Sequence, residues 1–431
     1  MRVAIDGYNI AMPEGTGVAT YGATLADTLK RAGYGVEGVF GLAAGNKPRM
    51  REMLFFEQLG RGHQLSSMKL VRDVALSVSL NHLPRRLTRI AAIGDVERRA
   101  FASRVPAFDA FWTSPLLFEI AYARFRHLGR FLTITMPDPP EVMHWTYPLP
   151  LRMRGARNIY TIHDLVPIKL PHTTRDDKVY YRRLVTRCVE TADRIVTVSE
   201  ASRRDTIELL DADPANVVNT YQASLVPQSI HTTSFEEDAA VVESVFGVRA
   251  RDFYLFFGAL DPKKNIGRIV EAYLASQSQR PLVIVSSRDW GMASEARMFG
   301  DKGTIYGQEM RDRIIRLKYL PRPMLFRLIR SARAVLFPSL YEGFGLPVLE
   351  AQQMGTPVIT ANTSSLPEVA GDAALLVDPY ASEEIAAAIK RIDADDALVE
   401  DISRRGLAQA AFFSEQRYRE RLDALYQGLA R

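Results

Sequence analysis

Short apolar, β-branched runs alternate with helical stretches along most of the chain. The first run is Arg2–Asp6, followed by a glycine-containing loop and a helical pattern from about residue 18 to residue 31. Further apolar runs fall at 108–113, 131–135, 158–162, 194–198 and 217–221, mostly with helical stretches between them. Such alternation predicts βα units wound about a parallel sheet. Residues 226–237 (VPQSIHTTSFEE) are polar and lack periodicity, so they predict a linker. A second series then begins, with apolar runs at 253–257, 281–286, 313–317, 334–337, 357–360 and 374–377. Helical patterns cover 266–276, 323–331 and everything from 382 onward.

The pattern predicts an α/β protein with two Rossmann-like, doubly wound domains facing a central cleft. The boundaries it suggests are 1–225, a linker at 226–237, 238–410, and a closing helix at 411–431 that packs back on the first domain. In such sheets ligands sit beyond the carboxyl ends of the strands, so loops that follow strands are where chemistry is to be sought.

At 431 residues, 47% hydrophobic and 24% charged, the chain is too large for one ordinary core and too apolar for a disordered or fibrous one. The lone cysteine, Cys188, excludes an internal disulfide and a zinc site built on several thiolates. The first 15 residues lack an apolar stretch with a cleavage site, and no run nears ~18 apolar residues. A reducing cytoplasm is the expected location. Net charge is +5 but uneven, with 30 Lys+Arg against 23 Asp+Glu in residues 1–225 and 25 against 27 thereafter. Residues 45–106 carry 12 basic and 5 acidic residues among apolar ones and read as helical. That region, 45–105, could rest on an anionic membrane, line an acceptor cleft, or form a solvated helical face. No nucleic-acid motif accompanies the basic character, so nucleic acid is not an expected partner.

The most informative string is PSLYEGFGLPVLEA at 338–351, directly after the apolar run AVLF. A glycine-punctuated turn between a strand and a helix exposes successive backbone amides, which suit phosphate or sugar oxygens. Pro347 suits the first helical turn, where its missing N–H costs little. Glu342 and Glu350, with seven residues between them, can reach different parts of one ligand. A turn with a capping carboxylate would account for either glutamate alone; the whole string is more specific. In Lys263–Lys264 two cations precede a helix start, which the helix dipole disfavours unless an anion is bound.

This string resembles the E-x7-E signature of the retaining GT-B glycosyltransferases of family 4, also called group 1. The likeness continues through 350–379 and appears again in FFGALDPKKNIGRIVEAYL at 256–274. In the first half it rests on Gly15-Thr16-Gly17, His163-Asp164 and Val198-Ser199-Glu200. The resemblance implies Glu342, His163 and Lys264 as catalytic residues. It implies donor binding by Glu350 at the ribose, by the backbone of Gly343, Phe344, Gly345 and Leu346, and by Gly17 and Lys263. Many members carry an arginine where this chain has Ala259; Lys263 or Arg288 would have to substitute. Ser199 is adequately explained as a helix cap. Asp211-Ala212-Asp213 and Asp393-Ala394-Asp395 resemble metal-binding pairs of another glycosyltransferase fold, but they fall at helix ends and read as surface carboxylates. No metal and no cofactor are therefore expected, the nucleotide-diphosphate sugar being a substrate. The general tone of TIHDLVPIKLP and FGALDPKKN resembles bacterial mannosyltransferases of surface-polysaccharide and lipopolysaccharide assembly. That implies GDP-mannose as donor, a glycan or lipid-linked acceptor, and a place on the inner face of the cytoplasmic membrane. A nucleotide-sugar epimerase of the same fold, or a non-catalytic sugar-nucleotide-binding protein, are the alternatives.

Overall fold

The computed structural model describes residues 1–12, 17–45, 50–61, 84–91, 105–286, 313–318 and 320–430. The first half is built on strands β1 (Arg2–Asp6), β2 (Gly35–Phe40), β3 (Arg85–Arg86), β4 (Thr88–Ile90), β5 (Ala110–Thr113) and β6 (Leu132–Thr135), continuing with β7 (Val142–Trp145), β8 (Leu151–Met153), β9 (Arg157–Ile162), β10 (Arg194–Thr197) and β11 (Val217–Asn219). The second is built on β12 (Tyr254–Phe257), β13 (Leu282–Val285), β14 (Ile314–Leu317), β15 (Ala334–Phe337), β16 (Val358–Ala361) and β17 (Leu375–Val377).

Eight of the first set form one sheet in the order β11-β10-β9-β7-β1-β2-β5-β4, parallel except for β4 at the edge. The second set forms a wholly parallel sheet, β14-β13-β12-β15-β16-β17. Counted from its own first strand that order is 3-2-1-4-5-6, and the winding reverses between β12 and β15. In open α/β sheets the ligand crevice lies at such a reversal, outside the carboxyl ends of the strands. The loops after β12 and β15 carry Lys263–Lys264 and Glu342.

The inner strands of the second sheet are apolar on both faces because helices cover each. Tyr254, Leu255, Phe256, Leu282, Val283, Val335, Leu336 and Phe337 are fully buried, which is why these strands read as continuous apolar runs. The Glu200–Leu210 helix begins where the Ser199 hydroxyl accepts from the Ser202 N–H.

Three expectations need correction. The 226–237 stretch is not irregular throughout. It contains a short helix at Gln228–His231, and a longer one, Phe235–Phe246, begins inside it. That helix opens on a capping box between Ser234 and Glu237, and its buried Asp238 pairs with Arg327 and Arg330. Second, residues 85–86 and 88–90 are strands rather than helix; apart from residues 45, 50–61, 84–91 and 105, the stretch 45–105 lies outside the described residues. Third, the 131–135 run does not join the main sheet. Its strand β6 pairs with β3 and β8 in a small separate sheet.

The closing helix, Glu415–Ala430, lies against the first half. Glu415 pairs with Arg31 at 2.7 Å, Asp423 accepts from the Tyr34 hydroxyl at 2.8 Å, and Tyr426 bonds His144 at 2.7 Å. Burial pushes the His144 pKa down to about 3, so this histidine stays neutral in the core. The chain thus crosses between the halves twice, and the crossings touch. Tyr221 packs on Phe412 and Phe413, with ring centroids 5.6 and 5.3 Å apart. Cys188 is buried in the first half. No helix among the described residues is long and apolar enough to cross a membrane.

Candidate active site

After β12 the chain makes a tight turn, Pro262–Lys264, ended by Asn265 with φ +62°. Asparagine tolerates this left-handed region better than most residues. Its buried amide donates to the carbonyls of Pro338 (3.0 Å) and Pro379 (2.6 Å), and the Leu340 N–H donates to the Lys263 carbonyl at 2.7 Å. The turn carrying the two lysines is thereby clamped to the loop carrying Glu342. Replacing Asn265 by alanine leaves two buried carbonyls without this donor, so a loss of about 1–3 kcal/mol of stability is expected in urea unfolding. An unchanged midpoint would show that the clamp does not matter.

Lys264 Nζ lies 2.5 Å from Glu342 Oε1 and 4.7 Å from the centre of the Phe337 ring. Lys263 turns instead to the first half and pairs with Asp164 at 3.2 Å. Burial alone would lower the Lys263 pKa, but the Asp164 and Glu342 carboxylates override it and raise it. Burial would likewise raise Asp164, and Lys263 holds it below the usual range. Lys263 is therefore committed to an ion pair across the cleft, and Arg288 lies outside the described residues.

Glu342 is positioned from its backbone. Its N–H donates to Ser364 Oγ at 3.0 Å, and Ser365 Oγ donates to the carbonyls of Glu342 or Phe344. Gly343 is where the halves meet. A Cβ there would lie 2.3 Å from the His163 carbonyl oxygen, so no side chain fits. Ser202 Oγ sits between the two backbones, 2.6 Å from the His163 carbonyl and 3.0 Å from that of Gly343. Gly345, at φ +104°, precedes the Leu346–Gln353 helix, which leaves the amides of its first turn facing outward along the axis. A further tie crosses beside this loop: the Tyr341 hydroxyl donates to Asp205, which also pairs with Lys169 at 2.6 Å.

His163 directly follows β9. Its Nε2 donates to the Thr146 carbonyl at 2.8 Å, which makes Nδ1 the basic nitrogen, and its ring meets Tyr21 edge-on at 4.8 Å. Burial lowers its pKa. The Thr146 N–H donates to the buried Asp6 carboxylate, whose pKa burial pushes up to about 6. Glu350 lies at the other end of the crevice. Its Oε1 accepts from Ser224 Oγ at 3.0 Å and lies 3.4 Å from Arg322 Nη2. Burial raises the Glu350 pKa, and Arg322 and Ser224 pull it partly back.

The structure thus gathers Glu342, Lys264, Lys263, Gly343 and His163 at the mouth of both sheets, with Glu350 one turn inside the helix that follows. Gly17 begins the first helix, and no described residue beyond its own helical turn lies within 4 Å of where its Cβ would be; Gly15 and Thr16 lie outside the described residues. Of the two acidic pairs, Asp211 and Asp213 cap helical turns. Asp393 is not a free surface carboxylate. It accepts from the Tyr254 hydroxyl and pairs with Arg280 at 2.6 Å, both contacts that fasten the core.

Comparison with known proteins agrees with this architecture. The family profile described as "Glycosyl transferases group 1" matches residues 248–411, and "Glycosyltransferase Family 4" matches residues 94–220. The O-antigen chain mannosyltransferase B of Escherichia coli is 33% identical over 62% of this chain and 68% of its own length. The chain belongs to the family 4, group 1 glycosyltransferases. Another relative of this glycosyltransferase, the O-antigen chain mannosyltransferase RfbU of Salmonella typhimurium, is 27% identical over 54% of the chain and 60% of its own length. The E. coli serotype-specific mannosyltransferase WbdA matches at 25% identity over only about a third of its length.

Among solved structures, the glycosyltransferase resembles sucrose-phosphate synthase from Thermosynechococcus elongatus (TM-score 0.65, 18% identity, 100% and 99% of the two chains covered). It resembles equally Anabaena HepE in complex with UDP-glucose (TM-score 0.65, 16% identity, 99% and 100% covered). WaaG, a glycosyltransferase involved in lipopolysaccharide biosynthesis, superposes at TM-score 0.61 and 14% identity, with 97% and 98% covered. At these identities the likeness is one of fold, and the fold is GT-B.

Proposed function

We propose that this glycosyltransferase moves a hexose from a nucleotide-diphosphate sugar to a glycan or lipid-linked acceptor, keeping the anomeric configuration. The observation that carries the reading is the Lys264–Glu342 pair, 2.5 Å apart in the crevice where the second sheet reverses its winding. Lys264 is placed to neutralise charge growing on the leaving diphosphate, and Glu342 to hold the donor sugar. The outward amides of residues 344–346 suit sugar hydroxyls and phosphate oxygens. Glu350 suits the ribose.

Reaction proceeds at the front face. The bond from the anomeric carbon to the diphosphate oxygen breaks, the acceptor oxygen bonds to that carbon from the same side, and its proton passes to the departing phosphate. Lys264 supplies the cation this needs, so turnover is expected to persist in EDTA. The names of the mannosyltransferase relatives favour GDP-mannose as donor and surface-polysaccharide assembly as the role. A panel of nucleotide sugars with extracted glycolipid acceptor tests the donor. GDP release from GDP-mannose supports it, and turnover with UDP-sugars alone overturns it.

The pH dependence tests the ribose role. Only the ionised Glu350 accepts from two hydroxyls, so donor affinity should fall as pH drops through its raised pKa. Removing a neighbouring cation favours the protonated form. Arg322→Ala should therefore move that fall to higher pH, with Arg322→Lys restoring part of the shift. A profile of donor KM that does not move would dismiss Arg322 as the residue holding Glu350 ionised.

A further inference from the structure

A second cavity, about 660 Å³, lies away from the cleft at the β5–β4 edge of the first sheet. Its wall includes Arg2, Glu37 and Ala110, at or near the amino ends of β1, β2 and β5. The catalytic cluster is at the carboxyl ends of the strands. Four arginines reach this cavity: Arg2, Arg51, Arg86 and Arg89.

The two acidic residues in the wall are already engaged by other groups. Asp138 pairs with Arg2 at 2.9 Å, while Glu37 lies 3.5 Å from Arg2 and accepts from the Trp112 indole N–H at 2.8 Å. Arg2 also donates to the carbonyl of Pro139. Arg51, Arg86 and Arg89 have no carboxylate partner among the described residues, and Arg51 Nε is buried with no hydrogen-bond partner. Three guanidinium groups held in one cavity, with both wall carboxylates engaged by Arg2 or Trp112, repel one another. The fold keeps them there through β3, β4 and the Arg51–Arg61 helix. Guanidinium forks match phosphate oxygens in pairs, and a partly enclosed cavity strengthens such bonds.

We infer that this cavity binds a phosphate-bearing anion through Arg51, Arg86 and Arg89, independently of the donor site. Such a group can be carried by a lipid headgroup or by a soluble phosphate ester. The site lies beside an indole, so occupancy is readable: Trp112 lines the cavity and reports through its fluorescence.

Two probes separate the sources, both used with the full chain. One is inorganic pyrophosphate, followed as the part of the tryptophan signal that Trp112→Phe removes. The other is sedimentation with vesicles of equimolar phosphatidylcholine and phosphatidylglycerol, against phosphatidylcholine alone. The wild type is expected to respond to at least one probe. The combined variant Arg51→Gln, Arg86→Gln, Arg89→Gln should bind at least about tenfold more weakly, while thermal melting and transfer from the donor stay unchanged. Should the triple variant fail to fold, Arg86→Gln with Arg89→Gln, both on exposed positions, gives the same reading. Loss of the pyrophosphate response alone identifies a soluble ligand, and loss of vesicle binding alone a headgroup. Binding that survives the substitutions, or a wild type indifferent to both probes, overturns the inference.

Discussion

Lys264→Ala is expected to lower kcat by about 10²–10³-fold, with a much smaller change in donor KM. The ammonium lies 2.5 Å from the Glu342 carboxylate, and the two side chains are only 13% and 8% exposed. Little water screens them, so a charge that develops beside Lys264 interacts strongly with it. A growing negative charge on a leaving diphosphate is stabilised more than the ground state, which places the loss in kcat. The same substitution leaves Glu342 buried without its cation, a situation that costs about 3–5 kcal/mol when one partner of a buried pair is removed. Kinetics and thermal melting should be measured together, and Lys264→Arg should keep the stability better than the rate. A kcat within about threefold of wild type would falsify the assignment of Lys264 to the leaving group.

Gly343→Ala is the second substitution with a large expected effect. The new methyl would meet the His163 carbonyl oxygen at 2.3 Å and the carbonyl carbon at 2.9 Å. Both are backbone atoms, so no side chain can swing aside to make room. The halves must separate, or the Glu342 loop must shift, by something like an ångström. Misplacement on that scale costs about 10²-fold in rate. Nucleoside diphosphate binding should change little, because Glu350, Ser224 and Arg322 lie at the other end of the crevice. Isothermal titration with the nucleotide, set beside kcat, separates the two effects. Equal losses in both would mean that the glycine serves the donor pocket rather than the meeting of the halves.

Strands β12, β13, β15 and β16 of the second half were legible because each is buried on both faces and so reads as a nearly unbroken apolar run. Glu342 and Glu350 were legible because they fall in one short string directly after such a strand, and Lys264 because it follows another. His163 was found for the same reason. What could not be read is whatever depends on residues remote in sequence. Ser202 reaches Gly343 across 141 positions, and Ser224 reaches Glu350 across 126. Arg322, Thr146 and Asp6 hold site residues by contacts that no spacing announces. β7 escaped because Val142–Trp145 is four residues long and contains a histidine. Its burial is set by neighbours β1 and β9 rather than by its own composition. β3 and β4 escaped because their arginines resemble a solvated helical face. The capping box at Ser234 and Glu237 was readable in the sequence, and would have placed the helix start inside the supposed linker.

The edge-on packing of Tyr221 against Phe412 and Phe413 has a mechanical consequence. Two bodies joined by separate, distant straps can shear or twist past each other. Here the straps are pressed together at one point, with Arg421 laid over Tyr221 and Phe412 at 4.8 and 4.7 Å. That junction acts as a pivot, and the least costly relative motion is a swing about it. A swing moves atoms in proportion to their distance from the axis. Displacement is therefore smallest at the aromatic junction and greatest at the lip farthest from it, where a pair of attached spin labels would record the widest excursion.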